Sequence, residues 1–183
     1  FDVFAADLNS QLSANSGRRQ YALTLGDMTW EIYWSQFSFS NYVREMNAKF
    51  SDLQVFHTIG NHDHDVNAEG DFNTVLEYFS YIGPNYYSFN IGSVHYVVLD
   101  DILCKNSGAG TSESRDYATA VDADQIAWLK KDLAYVDPGM TVIVASHAPL
   151  YYPSNSSSFK ASLDGASELI SCFSKFSNVH FFT

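Results

Sequence analysis

Residues able to bind a metal ion or to transfer protons follow three predicted strands of this 183-residue chain. They are Asp27 after the apolar run 21–25, Asn61-His62-Asp63 after the run 53–59, and His147 after the run 140–146. Carboxylate and amide oxygens together with an imidazole nitrogen form a mixed ligand set that suits Mn, Fe or Zn. A histidine beside a carboxylate can also act as a general acid or base. The three strand ends therefore predict a metal site with a proton-transfer group beside it.

Each of these residues also has an ordinary structural interpretation. Gly-Asp is common in turns, so Asp27 alone indicates no more than a turn after a strand. His147, taken alone, would be interpreted as a buried structural histidine. His64 extends the second motif to GNHDHD and is either a pocket residue or part of a solvated loop. Three further histidines lie inside predicted strands and are interpreted as structural: His57, His95 and His180.

The elements that must position these residues alternate between helices and strands. Apolar periodicity predicts helices over 2–15, 41–50, 71–81 and 162–174, and a further helix that opens with a capping box at 122–125. Strands are predicted over 21–25, 53–59, 140–146 and 178–183, with a hairpin formed by 86–91 and 94–100 and a loop over 104–120. This order predicts an α/β domain with a mixed sheet, in which ligands bind at the carboxyl ends of strands.

Length and composition are those of one globular domain over 1–183, with 46% hydrophobic and 17% charged residues. Ten basic and twenty-one acidic residues give a net charge of -11, which disfavours nucleic acid as a partner. No apolar run approaches the ~20 residues of a membrane span. Cys104 and Cys172 are interpreted as two buried thiols, with a single disulfide as the alternative.

The three strand ends resemble motifs of the calcineurin-like metallophosphoesterase family, in the family's order. Gly26-Asp27 matches its Gly-Asp motif, Gly60-Asn61-His62-Asp63 matches Gly-Asn-His-Asp/Glu, and His147 matches its isolated His. The likeness continues through YYSFNIGSVHYVVLDDI, DQIAWLKKDLA and VIVASHAPL, and so covers nearly the whole chain. It implies mixed β-sheets sandwiched by helices (αββα) and hydrolysis of phosphoesters by water activated at a dinuclear metal centre.

The resemblance also implies roles for individual residues. Asp27 would bridge two divalent ions (Mn, Fe or Zn), and Asn61 and His147 would be further metal ligands. His62 would be the general acid near the leaving oxygen, and Asp63 would orient its ring. The residues expected to contact a small phosphoester substrate are Asn61, His62 and His64.

One position departs from a branch of the family. Purple acid phosphatases usually carry a Tyr that binds ferric iron three residues after the Gly-Asp motif, and Trp30 stands there in this chain. An indole has no oxygen ligand to offer, so a ferric-tyrosinate enzyme is not expected.

Two motifs of the family, Asp-x-His and Gly-His-x-His, do not occur in these residues. We therefore expect a catalytic domain truncated at both ends, with weak or no metal occupancy and little turnover alone. Its unpaired sheet edges would favour dimerisation. The alternative functions are a catalytically dead module that binds a partner and, third, a metal-independent hydrolase. The resemblance alone favours an exported bacterial protein.

Overall fold

The computed structural model describes residues 2–30, 34–105, 107–108, 115–153, 159–161 and 163–183. Helices and strands are interspersed along these residues, which confirms the predicted α/β class. The elements in chain order are α1 (Asp2–Ala14), β1 (Tyr21–Leu23), α2 (Trp34–Phe37), α3 (Phe39–Lys49), β2 (Gln54–Phe56), α4 (Asp71–Thr74), α5 (Leu76–Tyr81), β3 (Tyr87–Ile91), β4 (Val94–Val98), β5 (Ile102–Cys104), β6 (Tyr117–Thr119), α6 (Ala123–Ala134), β7 (Thr141–Ala145), β8 (Tyr151–Pro153), β9 (Phe159–Ala161), α7 (Ala166–Cys172) and β10 (Val179–Phe182).

A four-stranded mixed sheet with the order β10-β7-β4-β3 forms the centre of the fold. The hairpin β3–β4 is antiparallel as predicted, whereas β4 and β10 both run parallel to β7. Parallel neighbours end at the same edge of a sheet. Asp100-Asp101, which follow β4, therefore lie beside Ser146-His147, which follow β7.

Strands β1 and β2 form a separate parallel pair, in which Tyr21 is opposite Gln54 and Leu23 is opposite Phe56. Hydrogen bonds extend the pairing past the strands, from the amide of Thr24 to the carbonyl of Phe56 at 2.9 Å and from the amide of Thr58 to the carbonyl of Thr24 at 3.3 Å. The loops that carry Asp27 and Asn61 consequently leave the pair at one end and run side by side.

The two sheets face each other across a stack of aromatic rings. Phe56 of β2 stacks on Phe89 of β3 at 3.7 Å between ring centroids, and Phe89 stacks on Tyr96 of β4 at 4.9 Å. The other face of the large sheet packs on α6 and α7 through buried side chains that include Val97, Leu129 and Leu169. This arrangement is the predicted sandwich of sheets and helices.

Several predicted elements differ in extent from the observed ones. The helix predicted over 71–81 divides at Val75, which ends α4 and begins α5. The loop predicted over 104–120 contains β6 and the end of β5, which pair antiparallel, and β8 pairs with β9 in a segment for which no strand was predicted. These strands are three residues long, too short to show an alternation of polar and apolar residues.

The predicted capping box at α6 is formed only in part. The side chain of Asp122 accepts a hydrogen bond from the amide of Gln125 at 2.8 Å, as expected of an N-cap. The buried side chain of Gln125 does not return to the cap, because it is bonded to the backbone amide (2.9 Å) and carbonyl (2.8 Å) of Asp100. It thus fixes the turn that follows β4.

Both cysteines are free, which agrees with the predicted thiols, although only Cys104 is buried and Cys172 is half-buried. Among the described residues, no helix combines the length and the hydropathy needed to cross a membrane.

Candidate metal centre

Two glycines allow the loops after β1, β2 and β7 to come into close contact. Gly26 has a φ of 94°, and a Cβ built on it would lie 2.5 Å from Nδ1 of His147. A Cβ on Gly60 would lie 2.5 Å from the backbone nitrogen of Asp27. Real Cβ atoms do not approach so closely, so any larger residue would push the loops apart. Asp27 itself has a φ of 56°, a left-handed conformation that Asp tolerates better than most residues.

The structure brings together the three residues that the sequence predicted as metal ligands. Nε2 of His147 lies 3.0 Å from Oδ1 of Asn61 and 3.5 Å from Oδ2 of Asp27. The other carboxylate oxygen of Asp27 accepts a hydrogen bond from the amide of His62 at 2.9 Å, which fixes the direction of the carboxylate. The side chains of Asp27 and His147 keep 34% and 22% of their surface exposed, so a small ligand can reach them.

The hydrogen bonds of His147 show which of its ring nitrogens is available to a metal. Nδ1 lies 2.7 Å from the carbonyl oxygen of Leu25, which only accepts, so Nδ1 carries the hydrogen. In the neutral ring, Nε2 then carries no hydrogen, and its lone pair is directed at the oxygens of Asn61 and Asp27. These three atoms can only accept, and no hydrogen lies between them. A cation placed among them would interact favourably with all three. Metal-binding histidines commonly donate their other N–H to a carbonyl in this way. The donor set therefore fits a divalent ion.

Asp63 is buried and ties the loops after β1 and β2 together. Its carboxylate accepts hydrogen bonds from the amide of Gly60 (2.9 Å) and from the amide (2.9 Å) and hydroxyl (3.0 Å) of Thr29. Burial raises the pKa of Asp63 to about 6, although these hydrogen bonds partly oppose the shift. Because both carboxylate oxygens are bonded to backbone and hydroxyl donors, the contacts support a positioning role. The predicted orientation of the His62 ring by Asp63 stays a prediction.

The ring of His62 stacks on Trp30, with centroids 4.2 Å apart and planes inclined by 23°. Trp30, which occupies the position of the iron-binding Tyr of purple acid phosphatases, keeps 44% of its surface exposed. The indole thus limits the orientations that the His62 ring can take.

His64 is not placed where the sequence suggested. Its side chain is fully buried, and Nδ1 lies 2.8 Å from the hydroxyl of Thr74 in α4. The GNHDHD segment turns inward after Asp63, so His64 neither lines a pocket nor lies in a solvated loop. The expectation that His64 contacts the substrate is therefore wrong.

Asp101 is a buried residue of the site that the sequence interpretation missed. Its carboxylate accepts hydrogen bonds from the amides of His147 (3.2 Å) and Ala148 (2.9 Å), and so holds the loop that presents the imidazole. Burial raises the pKa of Asp101 to about 6. The sequence does show two consecutive acids after a buried strand. Asp101 can reach the loop after β7, however, only because β4 runs parallel to β7.

Comparisons with known proteins agree with this fold. The family model described as calcineurin-like phosphoesterase matches residues 4–172. Purple acid phosphatase 15 of Arabidopsis thaliana is 29% identical over 137 residues, which are 70% of this chain and 22% of that protein. A solved structure of a purple acid phosphatase from yellow lupin (Lupinus luteus) seeds aligns with a TM-score of 0.51 at 18% identity, over 79% of this chain and 26% of that chain.

The chain thus spans about a quarter or less of the length of these relatives. The family match nevertheless runs from α1 to the end of α7 and includes all three loops of the candidate metal centre. The chain belongs to the calcineurin-like phosphoesterase family.

Proposed function

We propose that this chain carries the core of a metal-dependent phosphoester hydrolase with a dinuclear centre. The observation that carries the proposal is the convergence of Asp27, Asn61 and His147, whose acceptor atoms face one another without a hydrogen between them. The mixed oxygen and nitrogen donors suit Mn, Fe or Zn. Family membership supports the reaction class, and Asp27 is the carboxylate that would be shared by two ions.

The residues of the site have different roles in the proposed hydrolysis. Divalent ions held by these residues would supply positive charge to the phosphoryl oxygens and would lower the pKa of a water molecule. Asp27, Asn61 and His147 hold the donor atoms, and Asp101 and Asp63 keep the loops that carry them in place. His62 donates a proton to the leaving oxygen, with its ring held against Trp30.

The surroundings of His62 also suggest a preference among substrates. Trp30 presents a half-exposed apolar plane beside the general acid. A leaving group with a flat or apolar surface would stack on this plane. We therefore expect aryl phosphoesters to be better substrates than small alkyl phosphoesters.

Hydrolysis of p-nitrophenyl phosphate and of its bis-ester, with Mn²⁺ or with a chelator, tests the proposal. The expected rate is low, because three protein donors hold an ion less firmly than the four of a typical zinc site. It should need metal and fall at least about 100-fold in Asn61→Ala and in His147→Ala. His180→Ala, which changes an exposed histidine of β10, is the matched control.

Hydrolysis that survives chelation would contradict the proposal and favour a metal-independent hydrolase. Metal binding without any turnover, even at high enzyme concentration, would instead support the catalytically dead binding module.

A further inference from the structure

A second group of ligand-type side chains lies where the loop after β2, helix α4 and strand β5 meet. It consists of His64, Asp71 and Cys104, each of which places one ligand atom within 4.8 Å of the others. His64 and Cys104 are buried, with 0% and 4% of their surfaces exposed, and Asp71 is half-buried. None of the three belongs to the candidate metal centre described above.

Hydrogen bonds fix the orientation of the His64 ring. The hydroxyl of Thr74 donates its single hydrogen to the carbonyl of Asp71 at 2.6 Å. The same oxygen lies 2.8 Å from Nδ1 of His64, so Nδ1 must donate to it. In the neutral ring Nε2 consequently carries a lone pair and no hydrogen. This atom is buried and has no hydrogen-bond partner in the part of the chain that the structure describes.

An unpartnered buried nitrogen is costly and needs a physical account. The acceptor oxygen Oδ1 of Asp100 lies 3.6 Å from Nε2 of His64. Two donor atoms bound to one tetrahedral zinc ion at about 2.0–2.3 Å lie roughly 3.3–3.8 Å apart. The ligand atoms of His64, Asp71 and Cys104 lie within 4.8 Å of one another, so a small inward movement of these side chains would bring them to the separation that one ion requires.

We propose that His64, Asp71 and Cys104 bind one divalent ion of the zinc class at a buried structural site. Imidazole nitrogen, thiolate sulfur and carboxylate oxygen are the ligands that zinc takes in proteins. This proposal does not depend on the proposed function, because it concerns different residues.

The surroundings of the group meet two further requirements of a metal site. Asp71 is oriented by a hydrogen bond from the amide of Cys104 to its Oδ1 at 2.6 Å, which is the outer support that ligating carboxylates have. Asp71 also lines a surface cavity of about 900 Å³, so this residue of the group faces solvent. The bound ion would join α4 to β5 and hold the inward turn of the GNHDHD segment.

The rival state is a metal-free ion pair between His64 and Asp100. Burial lowers the pKa of His64, but Asp100 and Cys104 together outweigh burial and raise the pKa to about 10. Without metal the ring would then carry a second proton. Binding of the ion would displace this proton and the thiol proton of Cys104.

Cobalt substitution distinguishes these states, because Co²⁺ bound to a thiolate gives a charge-transfer band in the near ultraviolet. The 183-residue chain is unfolded with a chelator and refolded with Co²⁺. We expect one equivalent of Co²⁺ to produce the band in the wild type and in Cys172→Ser, the control for the other thiol. The band should be lost in Cys104→Ser.

Asp71→Asn keeps the thiol and the fold of the β5 turn, and should weaken Co²⁺ binding about 10- to 100-fold. Asn61→Ala should keep the band, since the candidate metal centre contains no sulfur ligand. If the proposed hydrolase function is wrong, the Co²⁺ band is therefore still expected. Absence of the band in the refolded wild type, or its persistence in Cys104→Ser, would overturn the site.

Discussion

His147 and His57 differ in chemistry because different groups face their ring nitrogens. In His147, a backbone carbonyl takes the hydrogen of Nδ1 and leaves Nε2 to the oxygens of Asn61 and Asp27. His57, in contrast, is half-buried next to β2, where its Nε2 lies 3.0 Å from the hydroxyl of Tyr42. Burial lowers the pKa of His57 to about 4, so its ring is neutral at pH 7 and serves the core.

The depressed pKa of His57 predicts a pH dependence of stability. Between about pH 4 and pH 6.5 the unfolded state binds a proton at this position and the folded state does not. The contribution of His57 to the free energy of unfolding should therefore rise with pH across this window, by on the order of 1–3 kcal/mol, whereas the raised pKa values of Asp63 and Asp101 act in the opposite direction. Denaturant unfolding of the wild type and of a His57 variant at several pH values measures this contribution as a difference.

His57→Gln removes this contribution, so the stability difference between wild type and variant should change across the same window. His180→Gln, at an exposed position, should follow the wild-type curve. Parallel curves for wild type and His57→Gln would show that His57 is not the titrating group.

Among the elements, the parallel pair β1–β2 explains why the approach of Asp27 to Asn61 could be predicted from sequence. Apolar runs marked both strands, and a polar residue at the end of each was enough to place Asp27 beside Asn61. The inward turn of His64 and the role of Asp101 could not be predicted. His64 depends on a hydrogen bond to α4, 10 residues further along the chain, and Asp101 on one to the loop after β7, 47 residues further along.

The approach of the loops after β1 and β2 depends on Gly60. A methyl group there would overlap the backbone and carboxylate of Asp27. We expect Gly60→Ala to lower the free energy of unfolding by about 1–3 kcal/mol and to weaken metal binding at least about 10-fold. Gly17→Ala adds a methyl group into open space and should change stability by less than about 0.5 kcal/mol. Equal metal affinity in Gly60→Ala and wild type would contradict this account of the loops.

For the molecule as a whole, charge and sheet edges have opposite effects on association. The net charge of -11 makes copies of the chain repel one another. At one end of the large sheet, β10 pairs only with β7 among the described strands, and Phe182 on it is 49% exposed. An apolar strand edge of this kind favours pairing with another chain.

We expect weak dimerisation that strengthens as salt screens the repulsion. Sedimentation velocity at low and high ionic strength measures it. Phe182→Lys should reduce the dimer by placing a charge on the edge strand, whereas Tyr135→Lys, which changes an aromatic residue that is 93% exposed outside any strand, should not. A monomer at every salt concentration would exclude this edge as an interface.

Paramagnetic broadening by Mn²⁺ in the amide NMR spectrum tests most directly whether Asp27, Asn61 and His147 hold a cation. We predict that substoichiometric Mn²⁺ broadens the amide signals of His62 and Ala148 first in the wild type and in Cys104→Ser. The same signals should stay sharp in Asn61→Ala and His147→Ala. Broadening centred on other residues, or unchanged in these two variants, would contradict a metal centre at the ends of these strands.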